Sequence, residues 1–196
     1  MIRIFYCQKN SSAIPEVISE YRKNKILAAN NEAEKIRMLC AAEVLRAGFE
    51  SFGIAEEKVI YAFGENGKPF AQNHPEVKFS LSHTENFAVA AFSDGEVGID
   101  CERSGRSVSE RVQDRYFGKK EKLSFAQRPI LLWTAKESIS KLEGNGVSGF
   151  SHIPELDYFT DTTETNGIRL QCFEINGFTV VVSSLENGEI TVLEVK

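Results

Sequence analysis

The sequence predicts an α+β fold made of two similar halves, each a largely antiparallel sheet packed against helices. Two stretches, Glu32 to Phe49 and Arg128 to Glu143, have the apolar spacing of amphipathic helices. Short apolar runs between polar turns fill much of the rest, as is typical of strands. The third observation is a repeat, because residues 86–99 (NFAVAAFSDGEVGI) and 177–190 (GFTVVVSSLENGEI) share an apolar run, a glycine-containing turn, a glutamate and a β-branched residue. Such self-similarity indicates two related units.

The composition is that of a globular protein. Of the 196 residues, 42% are hydrophobic and 26% are charged, which is enough to build a core. The net charge of −5 argues against a general nucleic-acid binder. The four cysteines form neither a C-x-x-C pair nor a zinc spacing, so we expect reduced thiols in a cytoplasmic protein. No apolar run has the length of a signal peptide or a membrane span, and we expect no membrane partner.

The N-terminal half begins with a short strand and two helices. The strand covers Ile2 to Tyr6, and a helix from Pro15 to Lys25 precedes the helix at 32–49. Cations near the end of the first helix suit its dipole. Further strands are predicted at Val59 to Phe63, Lys78 to Ser82, Phe87 to Phe92 and Val97 to Cys101. Asp94-Gly95 predicts a hairpin between the last two, since this dipeptide accepts the positive φ angles of a tight turn.

The C-terminal half contains the clearest helix, at 128–143. Pro129 stands near its start and Gly144 just past its end. Leu131, Ala135, Ile139 and Leu142 form a core face, within an arc of about 80°. Strands follow at Ile168 to Ile175, Phe178 to Ser183 and Ile190 to Val195. We place the boundary between the halves at residue 103, giving parts of 1–103 and 104–196, and expect the fused halves to form a monomer.

Two acids stand together at the end of the strand VGIDCE. Asp100 and Glu102 alternate with apolar neighbours, so both side chains point to one face, with Cα atoms about 6.6 Å apart. Gly98 leaves room beside them. Neighbouring carboxylates repel unless a cation neutralises them, and Mg²⁺ is a usual partner. The alternative is an exposed acidic strand end.

Glu137 and Lys141 lie one turn apart on the side of the 128–143 helix opposite its core face. A surface ion pair would explain them. Trp133 on the same side indicates instead that this face is also covered.

A basic segment follows the paired acids. Residues 103–122 hold seven basic and three acidic side chains in an otherwise acidic protein. A solvated helical face is one interpretation. The other is a docking patch for an acidic macromolecule, whose approach the positive charge would accelerate.

Four motifs in this order resemble those of the 4′-phosphopantetheinyl transferases, specifically the surfactin-type class with two similar halves in one chain. They are GKP (67–69), FSLSHT (79–84), VGIDCE (97–102) and WTAKESISKLEGNG (133–146). The resemblance is strong across residues 67–146, and after Phe150 it concerns topology alone. It implies two α/β halves related by a pseudo-two-fold axis.

The resemblance also implies a reaction. Members of this family transfer the 4′-phosphopantetheine arm of coenzyme A to a serine of an apo acyl or peptidyl carrier protein and release adenosine 3′,5′-bisphosphate. Mg²⁺, or Mn²⁺ in its place, would then be held by Asp100, Glu102 and Glu137. Cys101, between the first two, points the other way and is a poor ligand. Glu137 is also the candidate base for the attacking serine.

By the same resemblance, several residues would contact coenzyme A. Lys141 would reach the pyrophosphate, and Lys68 would lie beside the adenine end. The positions matched to the 3′-phosphate are Ser82, His83, Arg22 and Lys25.

The basic segment gains an acidic carrier protein as its expected partner. We predict that Arg111 and Arg115 dock the carrier, with apolar help from Val108, Val112 and Phe117. Two other functions fit parts of the pattern: a non-catalytic scaffold that binds coenzyme A or a carrier, and a Mg²⁺-dependent phosphohydrolase.

Overall fold

The computed structural model describes residues 1–11 and 18–196. The helices are α1 (Glu20–Leu27), α2 (Glu32–Glu50), α3 (Glu110–Tyr116), α4 (Lys119–Ser124) and α5 (Pro129–Glu143), with 3₁₀ turns at Glu56–Lys58 and Val147–His152. The strands are β1 (Ile2–Gln8), β2 (Tyr61–Phe63), β3 (Pro69–Ala71), β4 (Lys78–Thr84), β5 (Phe87–Ser93), β6 (Val97–Arg103), β7 (Thr162–Thr165), β8 (Ile168–Ile175), β9 (Phe178–Ser184) and β10 (Ile190–Glu194). None of the helices in these ranges is long and apolar enough to cross a membrane.

The strands of the described ranges form two four-stranded sheets and a small ribbon. The first sheet has the order β10-β1-β5-β4, the second has the order β6-β9-β8-β7, and β2 pairs with β3. Neighbours are antiparallel except β1 and β10, which are parallel. The predicted α+β fold with largely antiparallel sheets packed against helices is confirmed.

Each sheet has a long helix on one side and the other sheet on the opposite side. Helix α2 covers the first sheet, where Phe49 packs edge-on against Phe92 with ring centroids 5.1 Å apart. Helix α5 covers the second sheet with its predicted core face, all four residues of which are buried. Between the sheets, Phe87 and Phe178 stack with centroids 4.4 Å apart. The buried layer between the sheets is therefore built from residues of both halves.

The two halves repeat the same order of elements. Strand β1, helix α2 and the hairpin β4–β5 are followed by strand β6, helix α5 and the hairpin β8–β9. Strand β6 pairs with β9, and β10 returns to pair with β1. Strand pairing thus crosses the division at residue 103, which stays a prediction.

The predicted hairpin at Asp94-Gly95 is wrong. Strands β5 and β6 lie in different sheets, and neither Asp94 nor Gly95 has the positive φ that a primed hairpin turn requires. The hairpin β8–β9 turns instead at Asn176-Gly177, with φ angles of 52° and 81°. Asn166-Gly167 does the same between β7 and β8. These two Asn-Gly pairs therefore have the positive φ angles that were predicted for Asp94-Gly95.

Some element ends differ from the predictions. Strands β1 and β4 each run two residues further, because pairing with β5 continues to Gln8 and Thr84. Strand β7, which is short and polar, was not predicted. Pro15 lies outside the described residues, and the described first helix begins at Glu20, after the N-cap Ser19.

Gly98 brings helix α5 close to strand β6. A Cβ atom at this position would lie 2.0 Å from the carbonyl oxygen of Ser138 and 2.6 Å from the backbone nitrogen of Leu142. Only glycine therefore permits this approach. As predicted, the glycine makes room beside the acids, and what fills that room is the backbone of α5.

Candidate active site

Asp100 is the centre of the site. It is buried, and its Oδ1 accepts hydrogen bonds from Ser82 Oγ and from Lys141 Nζ, each at 2.7 Å. Its Oδ2 is buried without a hydrogen-bond partner. Strand β4 supplies Ser82 and helix α5 supplies Lys141, so Asp100 lies where both halves meet. A buried carboxylate oxygen without a donor is an acceptor that suits a cation.

Glu102 lies two residues along the same strand and faces the same side. Its Oε2 accepts a hydrogen bond from Arg106 at 2.5 Å. Burial raises the pKa of Glu102, the Arg106 guanidinium opposes this, and the charge of Asp100 raises the pKa further. The predicted side-by-side acids are present, and each is close enough to a cation to be partly neutralised.

Glu137 faces these acids from helix α5. Burial raises its pKa to about 7, with further contributions from the charges of Asp100 and Glu102. For Lys141, burial lowers the pKa, but the attraction and hydrogen bond of Asp100 outweigh this and raise it overall. The helix face is covered, as Trp133 indicated, and the ion-pair interpretation fails because Lys141 bonds to Asp100 and not to Glu137.

We call Asp100, Glu102, Glu137 and Lys141 the acid wall. The donor set suits a hard divalent ion, because it offers three carboxylates and one unpartnered buried oxygen. In the described residues, no three acid, histidine or cysteine side chains are gathered tightly enough to form a ready metal cluster. Lys141 and Arg106 lie on the two strand carboxylates. The residues therefore fit a metal, provided that these two cations can shift.

A group of nitrogen donors, which we call the basic wall, comes from three other elements: Arg22 of α1, Arg37 of α2 and His83 of β4. Arg22 Nε, Arg37 Nε and His83 Nδ1 are all buried without a hydrogen-bond partner. Burial, and then the charges of Arg37 and Lys141, lower the pKa of His83 to about 4, so the ring is neutral at neutral pH. This wall is suited to an anion.

Three further residues were matched to coenzyme A, and the structure gives each its own surroundings. Lys68 Nζ is 3.1 Å from the Leu142 carbonyl oxygen and 3.1 Å from Glu96 Oε2, which ties the GKP turn to the end of α5. Lys25 is exposed and contacts the Tyr21 ring at 5.3 Å. Ser82, whose hydroxyl donates to Asp100, belongs with the acid wall, although the adjacent His83 belongs to the basic wall.

Two adjoining cavities lie next to the acid wall. One, of about 260 Å³, is lined by residues that include Lys68, Glu137 and Lys141. The other, of about 400 Å³, shares Lys68 with it and has a mostly apolar lining that includes Phe70 and Phe79. A charged cavity beside an apolar one suits a ligand with a phosphorylated and an aromatic part.

The predicted docking residues are only partly at the surface. Arg111 and Arg115 are exposed, and no carboxylate of the described residues lies within ion-pair distance of either. Phe117 is buried in the core around α5, so its predicted docking role is wrong. Val108 and Val112 are half-buried and line a small groove of about 160 Å³ with Trp133.

Sequence reasoning missed two members of the site. Arg106 was counted in the basic segment, but its contact with Glu102 was not foreseen. Arg37 lies in the regular pattern of α2, where a single arginine gives no signal. Arg106 lies only four residues beyond Glu102, just after the strand, whereas Arg37 is recognised only when the fold brings distant segments together.

Comparison with known proteins finds similarity to the same family that the sequence motifs resemble. The model of the 4′-phosphopantetheinyl transferase superfamily matches residues 96–190. Among curated proteins, 4′-phosphopantetheinyl transferase psf-1 of Bacillus pumilus is 31% identical over 107 residues, which are 50% of this chain and 46% of the relative. The transferase Sfp of Bacillus subtilis is 24% identical over 150 residues, covering 72% of this chain and 66% of the relative. The transferase gsp of Aneurinibacillus migulanus is 26% identical over 160 residues, covering 77% and 65%. The chain thus spans about half to two thirds of the length of these relatives.

Proposed function

We propose, since this chain is similar to the 4′-phosphopantetheinyl transferase superfamily over residues 96–190 and to several named transferases, that it transfers the 4′-phosphopantetheine arm of coenzyme A to a serine of an apo carrier protein. The other product is adenosine 3′,5′-bisphosphate. The bond between the pantetheine phosphorus and the bridging oxygen of the pyrophosphate breaks, and a bond from that phosphorus to the serine oxygen forms. The serine proton leaves as the attack proceeds.

One observation carries this proposal: the buried side-chain atoms without a hydrogen-bond partner are divided between the acid wall and the basic wall. In the described residues, four buried side-chain atoms lack a hydrogen-bond partner, and all four lie on the two walls. Three are nitrogens of the basic wall, and the fourth is Asp100 Oδ2. Buried polar atoms are rarely left without partners, so such a cluster marks a binding site. A ligand with an anion at one end and a metal-bound diphosphate at the other would satisfy all four.

The acid wall is the proposed metal site. Asp100, Glu102 and Glu137 would hold Mg²⁺, or Mn²⁺ in its place. A bound divalent ion would neutralise charge on the pyrophosphate oxygens as the bond breaks. The ammonium of Lys141, at 2.7 Å from Asp100, can turn to the pyrophosphate once Asp100 has another cation beside it.

The basic wall is the proposed site for the 3′-phosphate. Arg22 and His83 fit the roles that the resemblance implies, and Arg37 adds a third donor. Lys25 is exposed on α1 and is a candidate for an outer contact. Lys68 lies at the border of the apolar cavity, which suits the adenine ring.

Glu137 is our candidate for the base that takes the serine proton. A pKa near 7 is well placed for proton transfer at neutral pH. The carboxyl faces the cavity from helix α5, beside Lys141. Glu137 would thus serve both as a ligand of the divalent ion and as the acceptor of the serine proton.

The carrier is proposed to dock on the basic segment next to Glu102. Arg111 and Arg115 are exposed without carboxylate partners, and Val108 and Val112 line a groove beside them. An acidic partner would therefore meet exposed positive charge, with a groove at its edge to which Val108 and Val112 contribute apolar side chains. The four buried free thiols support a reducing cytoplasmic location, and we propose that the chain acts as a monomer.

Mass spectrometry of an apo carrier protein tests the proposal. After incubation with this protein, coenzyme A and Mg²⁺, the carrier should gain the phosphopantetheine arm, and chelation of the metal should prevent it. Free phosphopantetheine without an adduct would indicate a phosphohydrolase. If neither acyl nor peptidyl carriers change and coenzyme A stays intact, the result would favour a non-catalytic binding scaffold.

A further inference from the structure

The buried carboxylate of Glu56 lies behind the basic wall and accepts three hydrogen bonds. Its side chain is 1% exposed. Glu56 Oε2 accepts from the Ser19 backbone N–H at 2.7 Å, and Oε1 accepts from Ser19 Oγ at 2.8 Å. Oε1 also accepts from the Tyr61 hydroxyl at 2.6 Å. One carboxylate therefore joins the start of α1 to strand β2.

Ser19 is the N-cap of helix α1, so Glu56 fixes where this helix begins. The Ser19 hydroxyl accepts the backbone N–H of Arg22, while it donates to Glu56. Helix α1 has only eight residues, and its apolar anchor is a small cluster around Ile18 and Ile26. A helix this short depends on its cap. Loss of Glu56 would therefore loosen the helix that carries Arg22.

Tyr61, the other partner of Glu56, forms the surface on which Arg22 rests. The Arg22 guanidinium lies 4.9 Å from the Tyr61 ring centroid and 5.2 Å from that of Tyr21. Within the described residues, no carboxylate lies within ion-pair distance of Arg22, and its Nε has no hydrogen-bond partner. The guanidinium is thus oriented by aromatic rings and keeps its charge for a ligand.

We propose that Glu56 is a positioning residue, which sets the affinity of the site for the 3′-phosphate of coenzyme A by holding both the helix and the ring that orient Arg22. This inference rests on the proposed function. Glu56 itself does not touch the ligand. Glutamine at this position keeps the size but turns one acceptor oxygen into an amide donor, which cannot receive the Ser19 and Tyr61 protons.

Calorimetric binding of two nucleotides tests the inference without turnover. The wild type should bind adenosine 3′,5′-bisphosphate at least about tenfold more tightly than adenosine 5′-monophosphate, which lacks the 3′-phosphate. Glu56→Gln should reduce this preference to about twofold. In the transfer assay, it should raise KM for coenzyme A, leave KM for 3′-dephospho-coenzyme A nearly unchanged and preserve kcat.

Glu121 offers a matched control in the other half. It is also a fully buried carboxylate that accepts backbone N–H groups, from Gly118 and Leu156, and it pairs with Lys136. Glu121→Gln should lower the melting temperature but keep the tenfold preference. If Glu56→Gln does not fold, Tyr61→Phe and Ser19→Ala each remove part of the same contact and should reduce the preference by smaller factors.

A folded Glu56→Gln protein that keeps the full preference would overturn the inference. So would equal loss of preference in Glu56→Gln and Glu121→Gln, since that would mean general destabilisation. A wild type that transfers the arm but shows no preference refutes this inference and leaves the proposed function standing. A wild type that neither transfers nor binds refutes both.

Discussion

The acid wall and the basic wall differ in how the protein satisfies their charges. On the acid wall, Asp100 and Glu102 each have a cation from this chain, Lys141 and Arg106 respectively. On the basic wall, Arg22 rests on aromatic rings, and Arg37 reaches Glu34 only at 3.8 Å. Two carboxylates that each have a neighbouring cation can lie close together without a ligand, because the cations offset the repulsion between the carboxylates. Cations with so little pairing are held ready for an anion from outside.

This difference between the two walls determines which side chains must move when a ligand binds. A metal at the acid wall competes with Lys141 and Arg106, whereas a phosphate at the basic wall displaces no carboxylate from Arg22. We therefore expect metal binding to be the more conditional step, and the phosphate end to bind first.

The largest effect should come from removing a carboxylate of the acid wall. Glu137→Gln should lower kcat by about a thousandfold, because both a metal ligand and the candidate base are lost. Steady-state transfer to an apo carrier measures this, with circular dichroism to check folding. Glu143→Gln, an exposed glutamate at the end of the same helix, is the control and should keep full activity. Near-normal turnover of Glu137→Gln would exclude the assignment.

His83 should make the stability of the basic wall depend on pH. Its folded pKa of about 4 lies below the ordinary 6.5, so the unfolded chain takes up this proton first as the pH falls. Stability is therefore lost between pH 6.5 and 4, by roughly 3 kcal/mol. His83→Asn should remove about this much of the pH dependence in urea unfolding. The exposed His152 provides the control substitution, and identical pH dependence in wild type and His83→Asn would contradict the burial argument.

Arg37 tests whether the basic wall binds the 3′-phosphate. Arg37→Gln should raise KM for coenzyme A about tenfold, the cost of one charge-assisted hydrogen bond, while KM for 3′-dephospho-coenzyme A stays the same. Arg46→Gln, on the same helix but paired with Glu43 and Glu50, serves as the control. Equal increases for both substrates would show that Arg37 acts elsewhere.

The smallest effect is expected at the docking surface. Arg111→Glu with Arg115→Glu should raise KM for the carrier about fivefold at low salt and less at high salt, because these exposed charges steer encounter. KM for coenzyme A should not change. Lys120 and Lys122 belong to the same segment but pair with Asp157 and Asp114, so reversing them should matter less. A salt-independent effect, or one on both substrates, would argue against docking.

The sequence was sufficient for those features that depend on local pattern. The alternation around Asp100 and Glu102 correctly predicted a shared face, and the core face of α5 followed from its helical spacing. Gly98 was predicted to leave room beside the acids, and the backbone of α5 occupies that room, since an added Cβ would lie 2.0 Å from the Ser138 carbonyl oxygen. A strand pattern shows that room is needed and not which element fills it.

Contacts between distant segments were beyond local pattern. The meeting of Glu137 and Lys141 with Asp100 came only through the resemblance, because no spacing relates residues some forty positions apart. The hairpin at Asp94-Gly95 was wrong because β6 pairs with β9, which lies about eighty residues later. Phe117 was predicted to help the carrier dock, yet it is part of the core. The role of Glu56 cannot be read from the sequence, because its three hydrogen-bond donors come from Ser19 and Tyr61 only in the folded chain.

The most direct test of the two walls is the affinity for coenzyme A, measured by calorimetry with and without Mg²⁺ in the wild type, Glu137→Gln and Arg37→Gln. We predict that Mg²⁺ strengthens the binding of coenzyme A to the wild type and to Arg37→Gln, although Arg37→Gln binds more weakly at the start. Mg²⁺ should have no effect on binding to Glu137→Gln. If Mg²⁺ strengthens binding by Glu137→Gln as much as it does for the wild type, the acid wall is not the metal site.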